Sequence, residues 1–206
     1  MNEVVRSLQF DQHDILRDIC ALHCPDGFEC DASYGNGNFY RHMKRPEHRF
    51  DIDPQVAGVS KASSINLPLH AGSVGSLVFD PPFLTYVQKG RSHKAGSVRM
   101  TARFGGYYTY GELRDHYGDS IKEFSRVIRK GGVLVFKCQD IVHNHRLHCT
   151  HAMVIGMCES AGFRLLDLYV LGAKHRMPGP QKGTQRHARI FHSYFLVFKK
   201  LEVSRD

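Results

Sequence analysis

Three observations predict an α/β fold with a mostly parallel sheet flanked by helices. Short apolar runs alternate with segments of helical spacing from Phe28 to Lys199, the order that builds strand–helix–strand units. The run 133–137 is near-continuously apolar, as expected of a parallel strand buried on both faces. Three of the runs end on aspartates, Asp31, Asp51 and Asp80. In open parallel sheets ligands bind at the carboxyl ends of the strands, so the three carboxylates are expected to share one crevice.

The elements follow in order. Residues 13–23 place Ile15, Leu16, Ile19, Cys20 and Leu22 at helical spacing, and Pro25, Asp26 and Gly27 stop the helix. A short strand over 28–30 ends at Asp31, one or two helical turns are expected over 38–43, and further strands over 48–52 and 76–80. Residues 111–129 read as a helix with Leu113, Tyr117, Ile121, Phe124 and Ile128 on one side, broken by Lys130-Gly131-Gly132 before the strand 133–137. A helix over 151–161 and strands over 163–171 and 192–199 complete the pattern.

At 206 residues the chain is expected to be one domain, 1–206, with no need of a metal or disulfide framework. No apolar run approaches the ~18 residues of a membrane span, and residues 1–10 lack the features of a secretory signal, so a soluble cytoplasmic protein is expected. The six cysteines form no C-x-x-C pair, and reduced, buried thiols are the expectation. Net charge is +8, which favours a polyanionic partner. Residues 88–103 hold five basic residues, Lys89, Arg91, Lys94, Arg99 and Arg103, and no acid; residues 168–201 hold seven, again with no acid. Both stretches read as phosphate-facing surfaces.

The most informative motif is Asp80-Pro81-Pro82-Phe83. The prolines lack N–H groups and fix φ, so the chain leaving the strand can neither extend a ladder nor enter a helix at once. A carboxylate, an outward carbonyl and an aromatic plane suit a flat heterocycle carrying an NH2 group. The alternative is a strand end followed by a Pro-Pro loop. Upstream, Asp31-Ala-Ser33-Tyr34-Gly35-Asn-Gly37-Asn-Phe39 is a strand end with a G-x-G turn, where glycines let backbone approach a ligand closely. A flexible Gly-Asn loop is the competing reading. Position 40 is Tyr, so the third glycine of a dinucleotide fingerprint is missing and S-adenosylmethionine fits better than a pyrophosphate cofactor. Asp51 then suits the ribose hydroxyls of an adenosine, with Asp53 beside it, although either aspartate could simply cap the following turn.

In order and spacing, Asp31…Gly35-x-Gly37, Asp51-x-Asp53 and Asp80-Pro-Pro-Phe83 resemble class I S-adenosylmethionine-dependent amino-methyltransferases that modify exocyclic NH2 groups of bases. The resemblance runs from Phe28 to Lys199 and is strongest to small candidate DNA methyltransferases of phages and prophages. It implies a single Rossmann-like methyltransferase domain, acting on adenine N6 or cytosine N4 of DNA in the cytoplasm of a bacterial or phage-infected cell. It assigns catalysis to Asp80, Pro81, Pro82 and Phe83, and the methionine end of the cofactor to Asp31, Gly35 and Gly37. Ser33, Tyr34 and Phe39 are expected in the same cofactor loop. Only 42 residues separate Gly37 from Asp80, which leaves no separate target-recognition domain.

Recognition is therefore expected from loops at about 84–110 and 173–190. Candidate nucleic-acid contacts are Tyr86, Lys89, Arg91, Lys94, Arg99, Arg103, Tyr107 and Tyr108 in the first, and Lys174, Arg176 and Arg186 in the second. Aromatic and basic residues interleaved in this way can stack bases while pairing phosphates; the competing reading of the first loop is a lid whose tyrosines pack on the core. Residues 143–151 hold His143, His145, His148, His151 and Cys149, but the spacing fits no common closed zinc site and a solvated loop is expected. An RNA amino-methyltransferase acting on adenine N6 or guanine N2, a catalytically dead nucleic-acid-binding module and a small-molecule methyltransferase, which the two acid-free basic stretches disfavour, are the alternative functions.

Overall fold

The structure, a computed structural model, describes residues 4–85, 106–173 and 185–202. Its strands are β1 (Leu8–Gln9), β2 (Cys30–Asp31), β3 (His48–Asp51), β4 (Ser60–Lys61), β5 (Val74–Phe79), β6 (Ile128–Cys138), β7 (Ile141–His143), β8 (Arg146–His148), β9 (Phe163–Gly172) and β10 (His192–Lys200). Its helices are α1 (Gln12–His23), α2 (Tyr110–Val127) and α3 (Thr150–Ser160), with a 3-10 turn at Asn38–Tyr40. Eight strands form one sheet in the order β1-β9-β10-β6-β5-β2-β3-β4, and β7 and β8 pair separately. β10 runs antiparallel between β6 and β9; the other pairings of the large sheet are parallel. The predicted mostly parallel α/β architecture is the one observed.

Alternation along the central strands fills both faces of the sheet. Leu77, Phe79, Leu134, Phe136, Leu196 and Phe198 face α2 and α3, where they meet Leu113, Tyr117, Ile121, Phe124 and Val154. Val78, Val133, Val135, Phe195 and Val197 face the other way, onto Ile15, Leu16 and Ile19 of α1 and onto Phe39 and Tyr40. Each such side chain taken fully out of water contributes about 1.5–3 kcal/mol. Asp11 caps α1 by accepting from His13 N at 2.8 Å, and Thr109 Oγ1 caps α2 by accepting from Glu112 N at 3.1 Å.

Three features depart from the sequence reading. α2 ends at Val127, not Arg129, because Ile128 is already extended and opens β6. Ile128 pairs with Val74 and Val133 with Ser76, so residues 129–132 bulge from the ladder at Gly131, whose φ is +74°. A β-carbon on Gly132 would lie 2.8 Å from the Gly75 carbonyl oxygen, so only glycine lets the strands close there. The histidine-rich stretch after Asp140 is a folded hairpin in which His143 is buried, not a solvated loop. Strands β1 and β4 were not anticipated: two residues each show no periodicity. No helix of the described residues is long and apolar enough to cross a membrane, and the six cysteines are free thiols.

The strand order reverses between β2 and β5, with β3 and β4 on one side and β6, β10 and β9 on the other. That switch point is where a crevice opens at the carboxyl edge.

Candidate functional site

Asp31 ends β2, Asp51 ends β3 and Asp80 follows β5, so the three strand-end aspartates do converge on the carboxyl edge. Two adjoining cavities occupy it. The smaller, about 320 Å³, is lined by Asp31, Tyr34, Phe39, Phe83, Leu84 and Lys137 among others. The larger, about 630 Å³, is lined by Asp51, Asp53, Ser64, Tyr107, Glu112 and His116 among others. Ser33, Gly35, Asn36, Asn38, Asp80, Pro81 and Pro82 wall both. Asp80-Pro81-Pro82 is therefore, with the 33–38 turn, part of the shared wall that forms the partition between them.

This corner is braced from three sides. The Asp80 backbone N–H donates to Ser33 Oγ at 2.7 Å, tying it to the glycine turn. The Tyr117 hydroxyl, from the buried side of α2, donates to the Pro82 carbonyl at 3.0 Å. Lys137 Nζ pairs with Asp80 Oδ2 at 3.0 Å and lies 4.9 Å above the Phe39 ring. The ion pair follows from register: Phe79 pairs with Phe136, which brings the next residues, Asp80 and Lys137, side by side. Lys137 is a site residue that the sequence reading placed only at the end of a core strand. A single cation closing an otherwise apolar parallel strand was the available signal.

The glycine turn is held by carboxylates. Asp51 Oδ2 accepts from Gly35 N at 2.8 Å and Asp51 Oδ1 from Asp53 N at 2.9 Å. Asp31 Oδ1 accepts from Ser33 N at 2.8 Å, and Asp31 Oδ2 accepts from the Tyr40 hydroxyl at 2.6 Å. Burial pushes the Asp31 carboxyl up to about 7, against the lowering effect of those hydrogen bonds. Gly35 has φ +53°, and a β-carbon there would meet only the Ser33 carbonyl, at 4.0 Å, so the backbone borders open space. Gly37 differs: a β-carbon there would fall 2.7 Å from the Tyr34 hydroxyl, and the residue serves ring packing away from both cavity linings.

A buried polar chain supports the larger cavity. Tyr107 Oη meets His116 Nδ1 at 2.5 Å, His116 Nε2 meets Ser64 Oγ at 2.9 Å, and Ser64 Oγ meets Ser120 Oγ at 2.8 Å. Burial lowers the His116 pKa, and a neutral ring fits the chain by accepting at Nδ1 and donating at Nε2. Tyr107 is thus a buried wall residue stacked edge-on against Tyr117, whereas Tyr108 and Arg186 are exposed. Tyr86, Lys89, Arg91, Lys94, Arg99, Arg103, Lys174 and Arg176 lie outside the described residues. Among the described residues no group of three or more metal-ligating side chains is arranged to hold an ion.

No family model matches the sequence, and no curated protein does. Solved structures resemble the fold. A candidate sarcosine dimethylglycine methyltransferase from Galdieria sulphuraria aligns with 92% of this chain and 85% of its own at 11% identity and a TM-score of 0.56. A chain from the complex of the Haloferax volcanii Trm112 methyltransferase activator with a candidate methyltransferase aligns over 86% and 83% at 14% identity and a TM-score of 0.52. A candidate DNA modification methylase from Thermus thermophilus, solved with S-adenosyl-L-methionine, aligns over 68% of this chain at 22% identity and a TM-score of 0.44. This chain spans about half, 52%, of that protein's length. At these identities the likeness is one of fold, and the fold is the Rossmann-like α/β sheet of methyltransferases.

Proposed function

We propose that the chain is an S-adenosylmethionine-dependent methyltransferase acting on an exocyclic amino group of a nucleobase in DNA, with adenine N6 ahead of cytosine N4. The observation that carries this reading is the partition itself: Asp80, Pro81 and Pro82 wall both cavities, so one corner can touch a cofactor and a substrate together. The preference for DNA over RNA rests on the resemblance of the motif order to DNA amino-methyltransferases.

The residues present fit the cofactor. Gly35 leaves room beside the backbone, Asp51 and Asp53 face the larger cavity where ribose hydroxyls would be held, and Asp31 offers a buried carboxyl to a cation. When bound, S-adenosylmethionine supplies an electrophilic methyl group. The chain's part is to make a poor nucleophile competent. An exocyclic amine is delocalised into its ring; two acceptors that bend its N–H bonds out of plane restore the lone pair. Lys137 occupies Asp80 Oδ2, leaving Oδ1 to accept one N–H while the Pro81 carbonyl accepts the other and Phe83 stacks on the base. Tyr117 already engages the Pro82 carbonyl, which holds the dipeptide in place. Nitrogen would gain the methyl as the methyl–sulfur bond of the cofactor breaks and S-adenosylhomocysteine leaves, and the proton that nitrogen sheds would leave through Asp80 to solvent. Preorganised acceptors of this kind are each worth about 100- to 1000-fold in rate.

Incubation with labelled S-adenosylmethionine and separate DNA and RNA pools, followed by nucleoside analysis, tests the reading and names the polymer, base and atom. Asp80→Ala should lower methyl transfer at least about 100-fold with cofactor affinity changed only a few-fold. Turnover retained in that variant would overturn the mechanism.

A further inference from the structure

The β7–β8 hairpin takes no part in the chemistry above, yet it is built with more care than a connector needs. Ile141 pairs with His148 and His143 with Arg146, so the turn consists of Asn144 and His145, both left-handed at φ 50° and 58°. A two-residue turn of this hand favours Asn followed by Gly. Histidine at the second position costs about 1 kcal/mol of backbone strain. That conformation is held from outside, because His187 Nε2 donates to the His145 carbonyl at 2.8 Å. The base of the excursion is clasped as well. Asp140 Oδ1 accepts from the His151 N–H at 3.2 Å and meets its Nδ1 at 2.7 Å, while the Tyr194 hydroxyl donates to Asp140 Oδ2 at 3.2 Å. Tyr110, at the start of α2, stacks on His148 with ring centres 3.9 Å apart.

Charge and place give this rigid blade a partner. Residues 141–151 and 185–192 contain no acid. The hairpin exposes His145, Arg146 and Leu147, and the segment bound to it through His187 exposes Arg189 and Phe191. The hairpin starts three residues after β6 ends, on the same edge of the sheet as Asp80, which β5–β6 register sets beside Lys137. Cationic groups interleaved with exposed apolar side chains match a polyanion that also carries flat, apolar surface.

We propose that the β7–β8 hairpin, locked to residues 185–191, is a nucleic-acid-gripping blade that pairs Arg146 and Arg189 with backbone phosphates beside the target base and rests Leu147 and Phe191 on sugars or bases. This assignment rests on the nucleobase reading above. Fluorescence anisotropy with one labelled mixed-sequence oligonucleotide, as single-stranded DNA, duplex DNA and RNA, read across a salt series, tests it. The Arg146→Ala/Arg189→Ala variant should bind at least one of these polymers about tenfold more weakly at ~100 mM salt, with the log–log salt slope reduced by about 2. Its thermal melting and cofactor affinity should match the wild type. His145→Gly, which removes none of the four gripping side chains, should keep wild-type binding and melt at the same or a higher temperature, since glycine relieves the turn. Unchanged affinity and slope in the double variant, with a wild type that binds, overturn the blade alone. A wild type that binds none of the three polymers overturns the blade and the nucleobase reading together.

Discussion

Asp31 and Asp51 end adjacent parallel strands, and each turns its Oδ1 back onto the backbone N–H two residues ahead, Ser33 at 2.8 Å and Asp53 at 2.9 Å. Their second oxygens part company. Asp51 Oδ2 reaches across to the Gly35 N–H and pins the glycine turn against the larger cavity. Asp31 Oδ2 is sealed under the Tyr40 hydroxyl, whose ring stacks on Tyr34, and the residue is 2% exposed. The same local motif thus yields a loop clamp in one strand and a buried carboxyl lifted to about 7 in its neighbour. Burial by residues from elsewhere in the chain makes the difference, since desolvation disfavours the ionised form however the local turn is arranged.

The largest effect should come from replacing the buried carboxyl of Asp31. Between the unfolded value of 3.8 and about 7, the folded state holds a proton on Asp31 that the unfolded state has lost. Stability should therefore fall as pH rises through this window, by up to roughly 1.4 kcal/mol per unit, and level off above it. Asp31→Asn should flatten this part of the stability–pH curve in chemical denaturation at pH 5, 6, 7 and 8; a variant curve parallel to the wild type would show that Asp31 does not carry the proton. If a cationic cofactor pairs with the ionised form, its affinity should also weaken by up to tenfold per pH unit below 7, a dependence that isothermal titration can follow and that Asp31→Asn should lack.

Next in size is Gly37→Ala, which attacks the seal over Asp31. Its φ is +69° and the new methyl would sit 2.7–2.9 Å from the Tyr34 ring. Strain and overpacking together should cost about 2–3 kcal/mol, measurable as a lower denaturation midpoint. The smallest effect on stability is expected for Asp51→Ala. It leaves the Gly35 and Asp53 N–H groups without their carboxylate, a loss of about 1–2 kcal/mol because water can replace the partner at this half-buried site. Cofactor affinity, not stability, should show the larger change there. A stability loss at Asp51 exceeding that at Gly37 would reverse the assignment of clamp and seal.

Much of the fold and part of the site are legible in the sequence. Strand–helix alternation, the helix faces of α1 and α2 and the strand-end aspartates all follow from patterns spanning fewer than twenty residues, whereas Lys130-Gly131-Gly132, read as the helix stop, lies inside β6. The hairpin was not legible, because its turn is Asn144-His145 and lacks the glycine that marks such turns. Lys137 was not, because its partner lies 57 residues away and only the β5–β6 register brings them together. Tyr117 read as one more apolar position on a helix face; its hydroxyl on the Pro82 carbonyl depends on α2 packing over β5.

By itself the sequence determined the α/β class, the placement of Asp31, Asp51 and Asp80 at strand ends, and the stiff Asp80-Pro81-Pro82 corner, since proline geometry, turn hydrogen bonds and periodicity act between near neighbours. Only the tertiary structure decided that this corner divides two cavities, that Lys137 takes one Asp80 oxygen, and that Asp31 is buried where Asp51 clamps a loop. Those outcomes depend on register and burial, and both are set by chain segments remote in sequence.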